Sequence, residues 1–343
     1  MTDTDKLLRE NIRSLVPYSC ARDEFRGKDE IFMDANENPY GTLNRYPDPY
    51  QLELKSSISR IRGVPEENIF LGNGSDEIID LCFRIFCNPG FDKALTFSPT
   101  YGMYEVSAAI NNVELVKVPL SGDFQIETKN VLPFLKDPRL KLIFICSPNN
   151  PTGNSMDSSA IESVISVFNG IVIIDEAYID FSEQPSFITK LNRYRNLIVM
   201  QTFSKAMGLA AARVGLAFMA PPMVRYFNKV KPPYNISAIN QKAALKSLAR
   251  SELLKNRVRR IKNERERLTG CLRKMNIIER VFKSDSNFIL VKTKNADLIY
   301  SILVDNKIIV RNRNKVVPGC LRITVGTISE NNKLIKILRK IKI

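Results

Sequence analysis

Between residues 68 and 219 the chain alternates short apolar segments with segments that have helical spacing. The apolar segments are continuous runs, which is typical of strands that are buried on both faces of a sheet. Strands separated by helices favour parallel pairing, because each helix returns the chain to the start of the next strand. Seven strands are predicted, at 69–71, 94–97, 113–118, 142–146, 171–174, 197–201 and 214–219. We therefore expect an α/β fold with a mostly parallel seven-stranded sheet sandwiched by helices.

The alternation stops at a Pro-Pro-Tyr-Asn segment, residues 232–235. Before the alternating strands and helices, the sequence predicts an arm, a brief strand at 31–33 and a helix at about 51–62. After them, the sequence predicts a long helical stretch at about 238–274, strands at 288–292, 308–311 and 321–325, and helices at 295–305 and from Glu330. The sequence thus predicts an N-terminal arm (1–35), a large domain (36–235) and a smaller α+β C-terminal domain (236–343).

The 343 residues include no histidine. Catalytic schemes that need an imidazole, such as Ser-His-Asp triads and histidine-ligated zinc, are therefore excluded. Acid–base chemistry near neutral pH must use a lysine, a tyrosine, a carboxylate or a cofactor. The six cysteines are scattered and form no Cys-x-x-Cys pair, so we expect reduced thiols and no metal site.

The ends and the charge of the chain bear on its location and partners. No apolar run approaches the roughly 18–20 residues that span a bilayer, and the polar N-terminus does not resemble a signal peptide. We therefore expect a cytoplasmic protein without membrane contact. Residues 251–343 carry 23 Lys/Arg against 8 Asp/Glu, which accounts for the whole net charge of +15. A solvated helix surface explains this best, an anionic small substrate comes second, and nucleic acid is not expected as a partner.

Lys205 stands at the end of the apolar run 197–200, and small residues follow it. A lysine in this place can extend its amine along the surface into water. It can also be a buried amine, and burial favours the neutral, nucleophilic form that a Schiff-base lysine needs. The segment alone leaves both interpretations open.

Residues 72–76 (GNGSD) link a predicted strand to a predicted helix. Glycines allow a tight turn, and the N-terminus of a helix offers unbonded N–H groups to an anion. Ser75 or Asp76 could equally be an ordinary N-cap. This segment therefore permits an anion site without requiring one.

Two more polar segments follow predicted buried strands. Asp175 and Tyr178 follow one of them, and an aspartate there can keep a pyridine nitrogen protonated. A metal-binding aspartate or a helix cap is the alternative, although no Walker A loop accompanies it. Residues 147–153 (SPNNPTG) follow another strand, and their prolines and glycine fix a backbone that can aim an Asn side chain at a ligand. A plain tight turn is the alternative there.

Asn150, Asp175, Lys205 and Arg213 follow one another at intervals of 25, 30 and 8 residues. Together they resemble the motifs of the fold-type-I pyridoxal-phosphate aminotransferases, and the resemblance covers nearly the whole chain. It is closer for the histidinol-phosphate aminotransferase subfamily, whose motifs are similar to 15–18 (LVPY), 34–39 (DANENP), 45–49 (RYPDP), 98–104 (SPTYGMY) and 319–326 (GCLRITVG). The resemblance implies pyridoxal 5'-phosphate as the cofactor, bound by the large domain.

The resemblance also implies roles for individual residues. Lys205 would form the Schiff base with the cofactor and move protons, and Asp175 would hold the pyridine N–H. Asn150 and Tyr178 would bind the ring oxygen of the cofactor, and Tyr101 would stack on the ring. The cofactor phosphate would be bound by Ser75, Asp76, Ser204 and Arg213.

Other matching residues imply the substrate site and a partner. Arg322 would bind the substrate anion together with Arg311, for which Arg313 is an alternative. Tyr46 resembles the family tyrosine that reaches the cofactor of the neighbouring subunit, which implies a homodimer. The arm would pack against the small domain and the partner subunit. From the arm, Tyr18 and Asn36 would complete the pocket.

The implied reaction is transamination between L-histidinol phosphate and 2-oxoglutarate, which gives imidazole-acetol phosphate and L-glutamate in histidine biosynthesis. It would proceed by ping-pong exchange, with pyridoxamine phosphate as the second form of the cofactor. An aromatic amino acid aminotransferase or an amino-acid-phosphate decarboxylase is the alternative on the same scaffold. A nucleic-acid-binding protein built on this scaffold would need an additional binding module, for which the sequence shows no segment of sufficient size.

Overall fold

The computed structural model describes residues 4–20 and 31–342, and its largest element is a seven-stranded sheet. The strands lie in the order β1-β7-β6-β5-β4-β2-β3. Among them, β7 runs antiparallel to both of its neighbours, and the remaining pairs are parallel. The predicted α/β class with a mostly parallel seven-stranded sheet is confirmed. The strand bounds are β1 (Ile69–Asn73), β2 (Lys93–Ser98), β3 (Glu114–Pro119), β4 (Leu140–Cys146), β5 (Ile171–Asp175), β6 (Leu197–Thr202) and β7 (Val214–Met219).

Helices cover both faces of this sheet, which explains why its strands are continuous apolar runs. Successive side chains of a strand point to opposite faces. In β4, Ile143 and Ile145 pack in one core, while Leu142 and Phe144 pack in another. The covering helices are Leu52–Arg62, Ser75–Phe86, Met103–Ile110, Thr128–Val131, Ser158–Val167, Pro221–Val230 and Ala238–Leu248. Within residues 4–20 and 31–342, no helix combines the length and the apolarity that crossing a membrane requires.

A second, smaller sheet lies in the C-terminal part of the chain, with four antiparallel strands in the order β10-β11-β9-β8. Its helices are Ser251–Leu272, Ala296–Asp305 and Ile328–Leu338, and they share a separate apolar core with the sheet. A smaller α+β unit was predicted here, while the exact domain boundary at residue 236 stays a prediction. The strand bounds are β8 (Ile278–Val281), β9 (Phe288–Thr293), β10 (Arg311–Asn312) and β11 (Cys320–Thr324).

The helical stretch predicted over 238–274 consists of two helices in the structure. Arg250 has a non-helical backbone (φ −111°, ψ 41°), and a new helix begins at Ser251. The two helices bury their apolar faces in different cores. Leu248 packs in a core of the large sheet, whereas Leu268 packs in the core of the small sheet. The break therefore lets the chain pass from one sheet to the other.

Three strand assignments also differ from the structure. The strand predicted at 308–311 is limited to Arg311–Asn312. Residues 31–33 form no strand, and the side chains of Ile31 and Met33 are 87% and 91% exposed. Strand β8 was not predicted. Its two end residues, Ile278 and Val281, are only half-buried, and the two charged residues between them break the alternation that marks a strand.

The first described residues pack on the helices of the large sheet. Leu8 and Ile12 are buried in the same core as residues of the helices Ser75–Phe86 and Pro221–Val230. Contact of the arm with the small domain or with a partner subunit stays a prediction. The elements of this segment are the 3₁₀ turn Thr4–Leu7 and the short helix Glu10–Arg13.

One edge of the large sheet collects the segments that carry polar side chains. Strands β4, β5 and β6 are mutually parallel and end at this edge, and β1 ends there as well because it pairs with β6 through the antiparallel β7. Strand β7 begins at the same edge, directly after Arg213. Open α/β sheets bind ligands at the carboxyl ends of their strands. The topology therefore brings the segments 72–76, 147–153, 175–178 and 204–213 together.

Candidate active site

A cavity of about 370 Å³ lies at this edge and is lined by residues of both sheets. Most of the residues predicted for the site line it, although they are far apart in the sequence. Arg313, the alternative to Arg311, lines it as well. The predicted residues in the lining are Ser75, Asp76, Tyr101, Asn150, Asp175, Tyr178, Ser204, Lys205, Arg213, Arg311 and Arg322.

Lys205 lies just beyond the end of β6, and its side chain lines the cavity. Its ammonium nitrogen Nζ is 5.5 Å from the ring centroid of Tyr178. Burial, followed by the positive charge of Arg322, lowers the pKa of Lys205. The sequence left open whether the Lys205 amine extends into water or is buried. In the structure the amine is partly buried. Such an amine reaches its nucleophilic, neutral form at a lower pH than a surface lysine does.

Asp175 is the last residue of β5, and only 4% of it is exposed. Its Oδ2 accepts a hydrogen bond from the Tyr104 hydroxyl at 2.7 Å, and its Oδ1 accepts one from the Ala177 N–H at 3.0 Å. Burial raises the pKa of Asp175, while these two hydrogen bonds lower it. The carboxylate is thus held in one orientation at the cavity wall. Sequence reasoning missed Tyr104, although it belongs to the motif at 98–104.

The turn before the helix Ser75–Phe86 is shaped by glycines. Gly74 has φ +80°, and a Cβ atom there would lie 2.6 Å from an Nη atom of Arg213. A Cβ atom on Gly215 would lie 2.5 Å from the carbonyl carbon of Gly74 and from the Ser75 nitrogen. Only glycine therefore allows β7 to approach the turn this closely. The N-cap residue of this helix is Gly74, which has no side chain to cap the first N–H groups, so these groups can bind an anion.

Charged and phenolic groups surround this turn. Arg213 Nη2 lies 3.1 Å from Asp76 Oδ2, and the Tyr101 hydroxyl donates to Asp76 Oδ1 at 3.1 Å. Burial, together with the charge of Asp76, raises the pKa of the Tyr101 hydroxyl, which therefore stays protonated. Ser204 completes this wall, and its backbone N–H donates to the Thr202 hydroxyl. The donor set at this wall suits a phosphate group.

Asn150 and Tyr178 form the part of the wall nearest to the small sheet, and both are buried. The Oδ1 atom of Asn150 accepts a hydrogen bond from the guanidinium of Arg322. The Tyr178 ring packs edge-on against Phe288 of β9, with a centroid distance of 5.1 Å. Burial raises the pKa of the Tyr178 hydroxyl, so this phenol is a hydrogen-bond donor at neutral pH. These contacts join the two sheets across the cavity.

Three arginines enter the cavity from the small sheet. Arg311 of β10 and Arg322 of β11 are directly opposite each other across the two strands, so their side chains share one face. Arg311 is exposed, whereas Arg313 and Arg322 are partly buried. In the part of the chain that the structure describes, the Nε atoms of Arg313 and Arg322 are buried without a hydrogen-bond partner. Burial is the main cause that lowers the pKa of both guanidinium groups.

Three predicted site residues do not line this cavity. Asn36 and Tyr46 line another cavity, of about 440 Å³, together with residues 237–239. The Tyr46 ring stacks on Tyr234, with centroids 4.4 Å apart. Tyr18 is 73% exposed. Within one chain, none of these three residues therefore lines the cavity of Lys205.

Comparisons with known proteins extend over the whole chain. Residues 28–338 match the family described as aminotransferase class I and II. A histidinol-phosphate aminotransferase of Parabacteroides distasonis is 48% identical over 346 residues, and the match covers 100% of both chains.

Solved structures show the same likeness in the fold. The crystal structure of the histidinol-phosphate aminotransferase from Clostridium acetobutylicum has a TM-score of 0.80 and 26% identity, and the match covers 87% of this chain and 90% of that one. The enzyme of that name from Sinorhizobium meliloti, solved in complex with pyridoxal-5'-phosphate, has a TM-score of 0.78 and 24% identity, with 86% and 82% covered.

Proposed function

The chain belongs to the class I and II aminotransferase family, and we propose that it transfers an amino group between L-histidinol phosphate and 2-oxoglutarate. The products are imidazole-acetol phosphate and L-glutamate, in a step of histidine biosynthesis, and pyridoxal 5'-phosphate is the cofactor. The observation that carries the proposal is that one cavity holds a partly buried Lys205, a buried Asp175 and four arginines. The relative from P. distasonis, which is 48% identical over its full length, bears the name of this activity.

The residues of the cavity fit this cofactor. Gly215 approaches Gly74 so closely that a Cβ atom would overlap the turn backbone, and this contact fixes the helix N-terminus as a cradle for an anion. Ser75, Asp76, Ser204 and Arg213 line the cavity around this cradle, and we assign the cofactor phosphate to them. We assign the pyridine N–H to Asp175, the ring oxygen to Asn150 and Tyr178, and the ring face to Tyr101. When bound, the cofactor supplies an electron sink for the charge that develops at the substrate Cα.

Lys205 has two tasks in this proposal. Its amine binds the cofactor covalently before the substrate enters, and afterwards it moves the proton at the substrate Cα. Its lowered pKa supports both tasks, because the neutral amine is the nucleophile and the base. The chain has no histidine that could take over the proton transfer.

The arginines take the substrate anions. We propose that Arg322 and Arg313 bind the phosphate of histidinol phosphate and, in the other half-reaction, a carboxylate of 2-oxoglutarate. Their buried Nε atoms support this assignment, because an entering anion would provide the missing hydrogen bonds. Arg311, the residue first expected in this place, is more exposed than Arg313. It adds charge at the cavity mouth, where water screens it.

We further propose a cytoplasmic homodimer in which Tyr46 serves the site of the neighbouring subunit, while Tyr18 and Asn36 complete a substrate pocket from the arm. The separation of Asn36 and Tyr46 from the Lys205 cavity supports this arrangement. The cysteines support a reducing compartment, since all six are free thiols and five of them are buried. Sedimentation equilibrium should give twice the chain mass of 39.0 kDa. A monomer with full activity would contradict the shared site.

The assay that tests the reaction combines the cofactor-loaded protein with histidinol phosphate and 2-oxoglutarate and measures glutamate. We expect glutamate to form from this pair and imidazole-acetol phosphate to accumulate with it. Phenylalanine in place of histidinol phosphate shows how far the enzyme accepts aromatic amino acids. Absence of glutamate from the histidinol phosphate pair would refute the assignment, and release of carbon dioxide would indicate a decarboxylase.

A chemical test locates the reactive amine. Borohydride reduction of the loaded protein should leave the cofactor mass on the peptide that contains Lys205. The Lys205→Ala variant should lose this label and all but a trace of activity, whereas Lys246→Ala, which removes an exposed lysine, should keep both. A label on another lysine in the wild type would contradict the role of Lys205.

A further inference from the structure

We propose that Tyr104 is a positioning residue of this site: its buried hydroxyl orients the Asp175 carboxylate and keeps it ionised beside the cofactor's pyridine nitrogen. The inference rests on the proposed function, since that function assigns the pyridine N–H to Asp175. It adds a residue that does not line the cavity and acts through Asp175.

The contact is short and fully enclosed. The Tyr104 hydroxyl donates to Asp175 Oδ2 at 2.7 Å, and the exposed fractions are 0% for Tyr104 and 4% for Asp175. The Ala177 N–H donates to the other oxygen at 3.0 Å. Each carboxylate oxygen thus accepts a hydrogen bond, which fixes the plane of the carboxylate. Hydrogen bonds from neutral donors to an ionised group are among the strong ones in proteins.

The Tyr104 ring has little freedom to move its hydroxyl. It stacks on Phe144 of β4, with centroids 5.0 Å apart and an interplanar angle of 20°. Tyr101 packs edge-on against it at 5.6 Å. Tyr104 also belongs to the first turn of the helix Met103–Ile110, so its backbone is fixed as well. Because the ring is held on both sides, the hydroxyl stays directed at Asp175.

The surroundings of Asp175 explain why this donor matters. Burial is the largest effect on the carboxyl and raises its pKa, and the charge of Asp76 acts in the same direction. The Tyr104 hydroxyl is the largest effect that lowers this pKa, ahead of the Ala177 N–H and the charge of Lys205. The titratable groups around Asp175 are Asp76, Tyr101, Tyr104, Cys146, Tyr178 and Lys205.

The consequence concerns the position of one proton. With the cofactor bound, Asp175 would share this proton with the pyridine nitrogen, and the proton would stay on the nitrogen only while the ionised carboxylate is well stabilised. Loss of the Tyr104 hydroxyl destabilises the carboxylate and moves the proton towards the Asp175 oxygen. A pyridine without its proton is a weaker electron sink, so the reaction slows while substrate binding is untouched.

The test uses Tyr104→Phe in the loaded enzyme, with ¹⁵N in the pyridine ring of the cofactor. We expect the ¹⁵N signal to move towards that of neutral pyridine at unchanged pH. We also expect kcat to fall about 10- to 100-fold, since a hydrogen bond to a charged group is lost, while KM for histidinol phosphate stays within about twofold. The control is Tyr194→Phe, which removes another tyrosine hydroxyl from a carboxylate, that of Glu162 at 3.0 Å. It should change neither quantity.

A second variant protects the test against misfolding. Replacing Tyr104 with 3-fluorotyrosine makes the hydroxyl a stronger donor, so the ¹⁵N signal should move in the opposite direction. If both variants fold and both signals coincide with that of the wild type, the inference is overturned, even when the wild type turns over histidinol phosphate. If the wild type fails to bind the cofactor, the proposed function falls and takes this inference with it.

Discussion

The two sides of the cavity differ in how their polar groups are satisfied. On the side of the seven-stranded sheet, the acidic groups already have partners within the chain. Asp175 accepts two hydrogen bonds, and Asp76 is paired with Arg213 and Tyr101. This side is formed before any ligand arrives.

The side of the four-stranded sheet is different. Its three arginines face the cavity, and the Nε atoms of Arg313 and Arg322 are without a hydrogen-bond partner within the described residues. The charges of the arginines also oppose one another, which lowers the pKa of Arg313 and Arg322. Buried polar groups in proteins normally have partners. This side is therefore complete only when an anion is bound.

The difference matches what a transaminase must do. The cofactor stays in place through both half-reactions, so its side gains from fixed, preformed contacts. Two different substrates must enter and leave on the other side, and each brings its own anion. Exchangeable anions can satisfy the arginines in turn. The two sides can be tested separately, because one depends on backbone fit and the other on charge.

Among the tests of the two sides, we expect the largest effect from the Gly215→Ala variant. This variant adds one methyl group to the preformed side and should weaken cofactor binding. The added Cβ atom would lie 2.5 Å from backbone atoms of Gly74 and Ser75, so β7 and the turn must move apart. Overpacking of this kind costs roughly 2–3 kcal/mol, which corresponds to about a 30- to 150-fold weaker binding of the cofactor. Equilibrium dialysis of the cofactor measures this change.

The matched control for this variant is Gly270→Ala. Gly270 lies in the helix Ser251–Leu272, and an added Cβ atom there meets nothing within 4 Å. Alanine favours the helix by about 1 kcal/mol over glycine. The control should therefore keep the cofactor affinity and melt at the same or a higher temperature. Equal cofactor affinity in both variants would show that the cradle is not preformed by the Gly74–Gly215 approach.

The sequence could predict the preformed side better than the other one. Lys205, Asp175 and Asn150 follow strands, and parallel pairing alone brings such strand ends to one edge. Tyr104 was missed because the direction of its hydroxyl depends on how its ring packs on a distant strand. Which of Arg311 and Arg313 binds the substrate phosphate depends on a two-residue strand and the turn after it. These segments are too short to show a periodic pattern in the sequence.

The substrate side should respond to loss of charge, in Arg313→Gln. We expect KM for histidinol phosphate to rise about 10- to 100-fold, because a charged hydrogen bond to the phosphate is lost. Since Arg311 is exposed and screened, Arg311→Gln should raise KM by less than about fivefold. Steady-state kinetics of the two variants measure the difference.

Histidinol, which lacks the phosphate, is the control substrate for these variants. If Arg313 binds the phosphate, Arg313→Gln should leave KM for histidinol within about twofold of the wild type. A larger loss with Arg311→Gln than with Arg313→Gln would reverse the assignment. An equal loss with both substrates would point to a distorted cavity instead of a lost phosphate contact.

The smallest expected effect concerns Glu176, on the preformed side. It tests whether hydrogen bonds offset the free-energy cost of burying a carboxylate. This neighbour of Asp175 accepts hydrogen bonds from the Ser186 hydroxyl, the Phe187 N–H and the Gln201 side chain. Its side chain is buried, and burial raises its pKa to about 7 despite these three donors. Pairing thus holds the carboxylate in place without removing the whole cost of burying its charge.

This raised pKa makes the stability of the cofactor-free protein depend on pH. The folded-state pKa of Glu176 lies above the ordinary value of 4.5, so the protonated carboxyl favours folding, and this contribution is lost as the pH rises through 7. Between pH 6 and pH 8 the free energy of unfolding should fall by about 1.3 kcal/mol in the wild type relative to Glu176→Gln. Lys55, whose pKa is lowered to about 8, acts in the opposite sense but is present in both proteins, so the difference between the two urea-unfolding profiles isolates Glu176. Parallel profiles would mean that Glu176 is ionised throughout this range and that its three donors fully offset its burial.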